Sequence, residues 1–164
     1  MSVNKPTKTP GIVPLHCWDI FSLHLAKLNA SHSKTNEHET LLSYQQQFDW
    51  QIDLEAVLNR PYQALVLTDP TVRIAWVSAG FTDMTGYSKY EVLGKSPNLL
   101  QGRNTSAASK ASVRKNLSRR KTFEENLINY RKNGEEYICH VEIHPMLDAK
   151  GEVSHFLALE SEAL

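Results

Sequence analysis

The chain has 164 residues and a mass of 18.6 kDa, which is room for one domain of ordinary size and some additional helices. Hydrophobic residues make up 41% and charged residues 22%, a balance that excludes global disorder. The 18 Lys and Arg residues equal the 18 Asp and Glu residues, so the composition argues against a dedicated nucleic-acid binder. Two cysteines are too few for a disulfide framework and predict a reducing, cytoplasmic setting. No run of apolar residues is long enough to span a membrane.

The first part of the chain is predicted to be an arm followed by helices. Residues 1–14 carry three prolines and predict an extended arm. Leu15 to Leu28 predicts a helix that is apolar on more than one side, and the polar residues 29–35 predict a break after it. Asn36 is placed to cap a second helix, and residues 15–59 together predict an N-terminal helical cap that also serves dimerisation. The apolar face of the second helix would consist of Leu41, Tyr44 and Phe48.

Beyond residue 60 the pattern changes to short strands and turns. Asp69-Pro70 and Asn133-Gly134 are turn signals between runs of β-branched and aliphatic residues, so each predicts a hairpin. Strands at both ends with helices between them predict an α+β fold, a five-stranded antiparallel sheet with helices on one face. The predicted order is strand 64–68, strand 73–77, helix 81–87, a helix opened by the capping box 88–91, a loop 95–102, helix 106–119, and strands 123–130, 136–146 and 152–159.

Three segments, FTDMTGYSKYEVLGK, LINYRKNGEEY and GEVSHFLALE, occur in an order and spacing that resembles a PAS domain. The resemblance covers residues 60–162 and implies the PAS fold, with the helical cap preceding it. Within that superfamily the strings LLQG, LINYRKNG and HFLALE are similar to those of light-oxygen-voltage (LOV) flavoproteins. The resemblance therefore also implies a cofactor-binding pocket on the inner face of the sheet.

The LOV resemblance implies a set of pocket residues, some retained and some replaced. Pro97 occupies the position of the reactive cysteine and has no thiol, so the photo-adduct cannot form there. Asn98 stands where LOV domains have arginine, Cys139 where they have the second ring asparagine, and Glu160 where they have the glutamine of the last strand. The residues that are retained are Thr68, Gln101, Arg114 and Asn129.

The cofactor question stays open at this point. Gln101 and Arg114 would face a flavin tail and Asn129 the edge of its ring, which favours FMN or FAD. The replaced ring-side positions would leave flavin donors and acceptors unpaired, at about 1–3 kcal/mol each, which favours no cofactor. No metal site is predicted, because His140 and His144 on one strand lie about 13 Å apart.

Strand alternation predicts a second, outer face of the sheet. That face is largely apolar and too large to leave exposed, so we expect the N-terminal helix Leu15–Leu28 or a second subunit to cover it. The predicted partners are accordingly a second copy of the chain, joined through that helix and the outer face, and a signalling protein, without nucleic acid or membrane. The outer residues would be Leu65, Leu67, Ile128, Tyr130, Ile138, His140, His144, His155, Leu157 and Leu159.

No enzyme motif is present, so the chain is not predicted to be an enzyme. The leading hypothesis is a stand-alone sensory or protein-interaction module in signal transduction, with no output domain of its own. A second hypothesis is a cysteine-less LOV-like flavoprotein that senses blue light or redox state by flavin reduction. A third is a ligand-free assembly domain whose interior is filled by its own side chains, around Val66, Phe81, Leu100 and Phe156.

Overall fold

The computed structural model describes residues 17–163, so the arm predicted at residues 1–14 lies outside the described residues. Two compact units divide the chain at Asn36 and Glu37, inside the first helix. In the first unit the described residues are helical, and the side chains of Ser22 and Leu25 are exposed. The second unit contains the sheet and every other element.

A single helix, α1 (Cys17–Phe48), replaces the two helices that the sequence predicted. The break predicted at residues 29–35 is wrong, because α1 continues through them. That stretch contains neither glycine nor proline. Each of its polar residues makes a helix less favourable than alanine does by only tenths of a kcal/mol, at most about 0.7 kcal/mol. A short helix, α2 (Leu54–Leu58), follows, and the Asp53 side chain caps it by accepting a hydrogen bond from the Ala56 N–H at 3.0 Å.

The second unit is a five-stranded antiparallel sheet with helices, which confirms the predicted α+β class. Along the sheet the strands follow the order β2-β1-β5-β4-β3, so the first and last strands of the unit lie side by side at its centre. The remaining elements are β1 (Ala64–Thr68), β2 (Ile74–Val77), α3 (Ala79–Thr85), α4 (Lys89–Val92), a 3-10 turn (Pro97–Leu100), α5 (Ala107–Leu117), β3 (Phe123–Tyr130), β4 (Glu136–Leu147) and β5 (Val153–Glu162).

Two hydrophobic clusters lie on opposite faces of the sheet, as the strand alternation predicted. On the inner face, strand residues pack against α3, α4 and the loop that follows. This inner cluster includes Val66, Phe81, Val92, Leu100, Cys139 and Val141. On the outer face, strand residues pack against the end of α1 and against α2. This outer cluster includes Leu41, Trp50, Leu54, Leu65, Leu67, Met146, Leu157 and Leu159.

The end of α1 is seated on the outer face by aromatic contacts around one histidine. Three rings lie edge-on to His155, with centroid distances of 5.5 Å for Tyr44, 4.5 Å for Phe48 and 5.7 Å for Trp50. The indole N–H of Trp50 also donates to Ser154 Oγ at 2.7 Å. The cover of the outer face therefore comes from the residues of the second predicted helix. The predicted role of Leu15–Leu28 in covering this face concerns residues whose side chains are mostly outside those that the structure describes.

Candidate functional site

A cavity of about 90 Å³ lies between the inner face of the sheet, α5 and the 3-10 turn. All the predicted site residues except Arg114 line it. Arg114 is exposed on α5, and this helix contributes Val113 and Leu117 to the cavity instead. The predicted residues that the structure brings together are Thr68, Pro97, Asn98, Gln101, Asn129, Cys139 and Glu160.

The loop that carries Pro97 is built by local hydrogen bonds. Ser96 caps the 3-10 turn by accepting from the Asn98 N–H at 3.3 Å, and Pro97 fits the first position because its missing N–H needs no partner there. Directly after the turn, Gln101 pairs with Asn129 in an isolated β-bridge. The loop and β3 thus hold these two polar side chains next to each other at the wall of the cavity.

Glu160 is the ionisable group that stands out in the cavity. It is 7% exposed and lies at the centre of the sheet, with Ala64 and Val141 as its neighbours on the adjacent strands. Burial raises the pKa of Glu160 to about 7, and the neighbouring Cys139 thiol lowers it in part. Burial also raises the pKa of Cys139, so this thiol stays neutral and is a poor nucleophile.

Tyr137 lies beside the cavity residue Asn129, and this neighbour was missed from the sequence. It lies opposite Asn129 in the β3–β4 register and is 4% exposed, with a hydroxyl that has no hydrogen-bond partner among the described residues. Arg131 stacks over its ring at 4.4 Å and holds Glu162 through two hydrogen bonds of 2.9 Å. Strand parity was the available signal, because Tyr137 and Cys139 are two apart and share a face.

Val72 is a cavity residue that the sequence did not indicate. It lies within the β1–β2 turn, where Asp69 Oδ1 accepts from the backbone N–H groups of Thr71 and Arg73 at 2.8 and 2.9 Å. Its φ of 60° is unfavourable for a β-branched residue. No local sequence pattern predicts such a backbone angle. The position of Val72 at the cavity is therefore visible only in the three-dimensional structure.

The size of the cavity bears on what it can hold. At about 90 Å³ it is smaller than the 300–1,000 Å³ that is typical of sites for larger ligands. A three-ring flavin does not fit it in this structure, although Thr68, Gln101 and Asn129 would supply polar contacts. The free volume also departs from the filled interior that the ligand-free hypothesis predicted. Among residues 17–163, no cluster of His, Cys, Asp or Glu is arranged to hold a metal ion.

Comparisons with known proteins agree with this architecture. A family model described as "PAS domain" matches residues 63–160, more than half of the chain. Phototropin-2 of Oryza sativa subsp. japonica is 32% identical over 112 residues, which cover 66% of this chain and 12% of the phototropin. The human voltage-gated inwardly rectifying potassium channel KCNH3 is 38% identical over 86 residues, 51% of this chain and 8% of the channel. The chain thus spans only a small part of either relative.

A solved structure gives the same result in three dimensions. The structure titled "Flavin Analogue Sheds Light on Light-Oxygen-Voltage Domain Mechanism" matches with a TM-score of 0.63 and 32% identity. The match covers 70% of this chain and 87% of that one. No helix within residues 17–163 has the length and apolar character needed to cross a membrane.

Proposed function

Because this chain belongs to the PAS domain family and its relatives include LOV domains, we propose that it is a sensory and protein-interaction module in signal transduction. In this proposal a signal enters at the cavity and leaves through the end of α1. The module acts by binding and not by catalysis, and its setting is the cytoplasm.

The proposal is supported by one observation: the same sheet lines the cavity on its inner face and contacts the end of α1 on its outer face. Val66, Cys139 and Glu160 line the cavity on the inner face. Leu65 is next to Val66 in β1, and Leu157 lies between the cavity residues Phe156 and Ala158 in β5. Both leucines pack into the outer cluster beneath the end of α1. Since the two sets share backbone segments, a ligand that shifts the strands also changes the surface on which α1 rests. Such a ligand would bias the docking of α1 between two states.

A variant that fills the cavity tests this coupling without a ligand. Ala158→Leu adds bulk at the cavity wall, whereas Ala111→Leu adds the same bulk at an exposed position of α5. We expect Ala158→Leu to change amide hydrogen exchange in residues 41–48 several-fold and Ala111→Leu to leave it unchanged. Identical exchange in the two variants would contradict the proposed route.

The second part of the proposal is a homodimer that uses α1 and the outer face. Leu25 is 46% exposed and Ile138 is 48% exposed, so both offer apolar surface to a second copy. Leu25→Glu should convert a dimer into a monomer in analytical ultracentrifugation. Ser22→Glu, which adds the same charge at another exposed position of α1, should not. A wild-type protein that is monomeric throughout would remove the dimer from the proposal.

A cysteine-less flavoprotein is the second candidate, favoured by the polar cavity residues Thr68, Gln101 and Asn129 and by the LOV likeness. Binding would require the cavity to widen. The test is the absorption spectrum after reconstitution with FMN and with FAD. Flavin bands that persist through gel filtration would support this candidate, and Glu160→Gln should strengthen them by supplying an amide. Spectra without such bands would leave the first candidate.

A further inference from the structure

Two acceptors at the polar end of the cavity lack a hydrogen-bond donor. Asn129 and Glu160 are 5% and 7% exposed and line the cavity. Among the described residues, Asn129 Oδ1 and Glu160 Oε2 have no hydrogen-bond partner. A buried acceptor without a donor is unfavourable, so this end of the cavity is complementary to a ligand that donates.

The rest of the cavity makes this end selective for positive charge. Its other walls are mostly apolar, and within the described chain Cys139 is the only other ionisable residue that lines it. Arg131, two residues after Asn129, is already paired with Glu162 and stacked on Tyr137. Glu160 therefore faces the cavity without a protein counter-charge, and a buried carboxylate in that position favours a cation.

We propose that the cavity binds a small planar cation rich in N–H donors, of the guanidinium, amidinium or azolium class, which pairs with Glu160 and donates to Asn129. An apolar cavity of 150 Å³ holds the six carbon atoms of benzene, so a volume of about 90 Å³ sets the size at about four non-hydrogen atoms, as in guanidinium. The proposal rests on the sensory function, since it names the ligand class of the same cavity.

The protonation of Glu160 sets the pH dependence of this binding. The groups that face Glu160 are Cys139 and Tyr137 on β4 and Glu162 on its own strand. The lining residues of α5 and of the 3-10 turn carry no charge. Because burial raises the pKa of Glu160 to about 7, the carboxyl is mostly neutral below that pH and ionised above it. Guanidinium keeps its charge throughout, so its affinity should be about tenfold higher near pH 8 than near pH 6.

The test is a titration of the whole chain with guanidinium, followed by amide NMR shifts. Urea is the control ligand, because it has the same shape and no charge. We expect saturable shifts in β3, β4 and β5 around the cavity with guanidinium, tighter at the higher pH, and none with urea. Shifts of equal size with both probes, or no saturable shift with guanidinium, would overturn the proposal.

Two glutamate variants provide the matched protein control. Glu160→Gln keeps the size of the side chain and removes its charge, so guanidinium binding should be lost. Glu142→Gln removes a carboxyl of similar burial, 8% exposed, on the outer face, where Arg60 pairs with it, and binding should persist. Dispersed NMR spectra of both variants establish that they fold. Binding that survives in Glu160→Gln would place the cation elsewhere and overturn the proposal.

These outcomes separate the ligand class from the sensory function. If guanidinium fails to bind while Ala158→Leu still alters exchange in α1, the ligand class is wrong and the sensory function stands. If guanidinium binds as described while exchange in α1 never changes, the ligand class stands and the sensory route fails.

Discussion

At the scale of the single residue, Glu160 is a buried carboxyl group at the centre of the sheet. It occupies the central strand, where its carboxyl group meets the Cys139 thiol and apolar walls, and no cation from residues 17–163 lines the cavity beside it. The folded state therefore holds the neutral form more strongly than the unfolded chain does. The consequence is a stability that depends on pH through one identifiable group.

Glu160→Gln should stabilise the domain above neutral pH and have little effect in acid. The folded pKa is raised to about 7 from 4.5, so the wild-type protein loses stability as pH rises between these values. A shift of that size corresponds to about 3 kcal/mol, which the variant should recover near pH 8 and not near pH 4. Urea unfolding at both pH values measures it. An equal gain at both would show that the effect comes from packing and not from charge.

At the scale of the element, the end of α1 packs buried side chains against the outer face of the sheet. Leu41 is fully buried, and Trp50 is 3% exposed beside His155. Glu37, one turn earlier, accepts a hydrogen bond from the Ala79 N–H at 3.1 Å, at the start of α3. The helix therefore contacts the outer face of the sheet and also a helix that packs on the inner core.

Leu41→Ala should lower the free energy of unfolding by about 2–5 kcal/mol, because it removes a buried side chain between α1 and the sheet. Gln47→Ala, at an exposed position of the same helix, should change it by less than about 0.5 kcal/mol. Chemical denaturation followed by circular dichroism gives both values. A small loss for Leu41→Ala would indicate that α1 is not part of the cooperative unit.

A second element, the loop after the 3-10 turn, depends on a close approach at Gly102. A Cβ atom on this residue would collide with the ring of Tyr130. Gly102→Ala should therefore destabilise the domain by about 1–3 kcal/mol. Combining it with Tyr130→Ala should cost less than the sum of the two single changes, since the collision disappears. Strict additivity in this double-mutant cycle would mean that the loop relaxes away from the ring.

At the scale of the whole molecule, groups on the two faces of the sheet respond to acid in opposite directions. Burial lowers the pKa of His155 and of His144 on the outer face, with Arg60 adding to the effect at His144. Their folded pKa values lie below the unfolded value, so the stability they confer is present above about pH 6.5 and is lost as pH falls. Glu160 on the inner face acts the other way, because its protonated form is the stable one.

His155→Phe should weaken the loss of stability in acid while preserving the aromatic packing around Phe48. An apolar ring at this position no longer has to gain a proton among Tyr44, Phe48 and Trp50 when the pH falls. The measurement is the free energy of unfolding between about pH 5 and pH 7.5, in wild type and variant. Parallel curves would exclude His155 as the source of the acid response.

The sequence was sufficient for the fold because hydrophobic periodicity and turn residues are local signals. The hairpins at Asp69-Pro70 and Asn133-Gly134 and both faces of the sheet could be predicted in this way. The continuity of α1 could not be predicted, because polar residues with low helix propensity leave a continuous helix and an interrupted one close in free energy. The exposure of Arg114 and the backbone angle of Val72 could not be predicted either. The first depends on how α5 packs on the sheet, and the second on the conformation of the β1–β2 turn.

The placement of Trp50 against His155 has a practical consequence. Tryptophan emission is quenched by a nearby protonated imidazole, and these two rings are 5.7 Å apart. Because burial lowers the pKa of His155, this quenching sets in only as the pH falls. The segment just after α1 therefore carries a built-in optical probe, whose brightness in acid reports the separation of helix and sheet without any attached dye. Replacing Trp18 and Trp76 with phenylalanine would leave Trp50 as the single emitter.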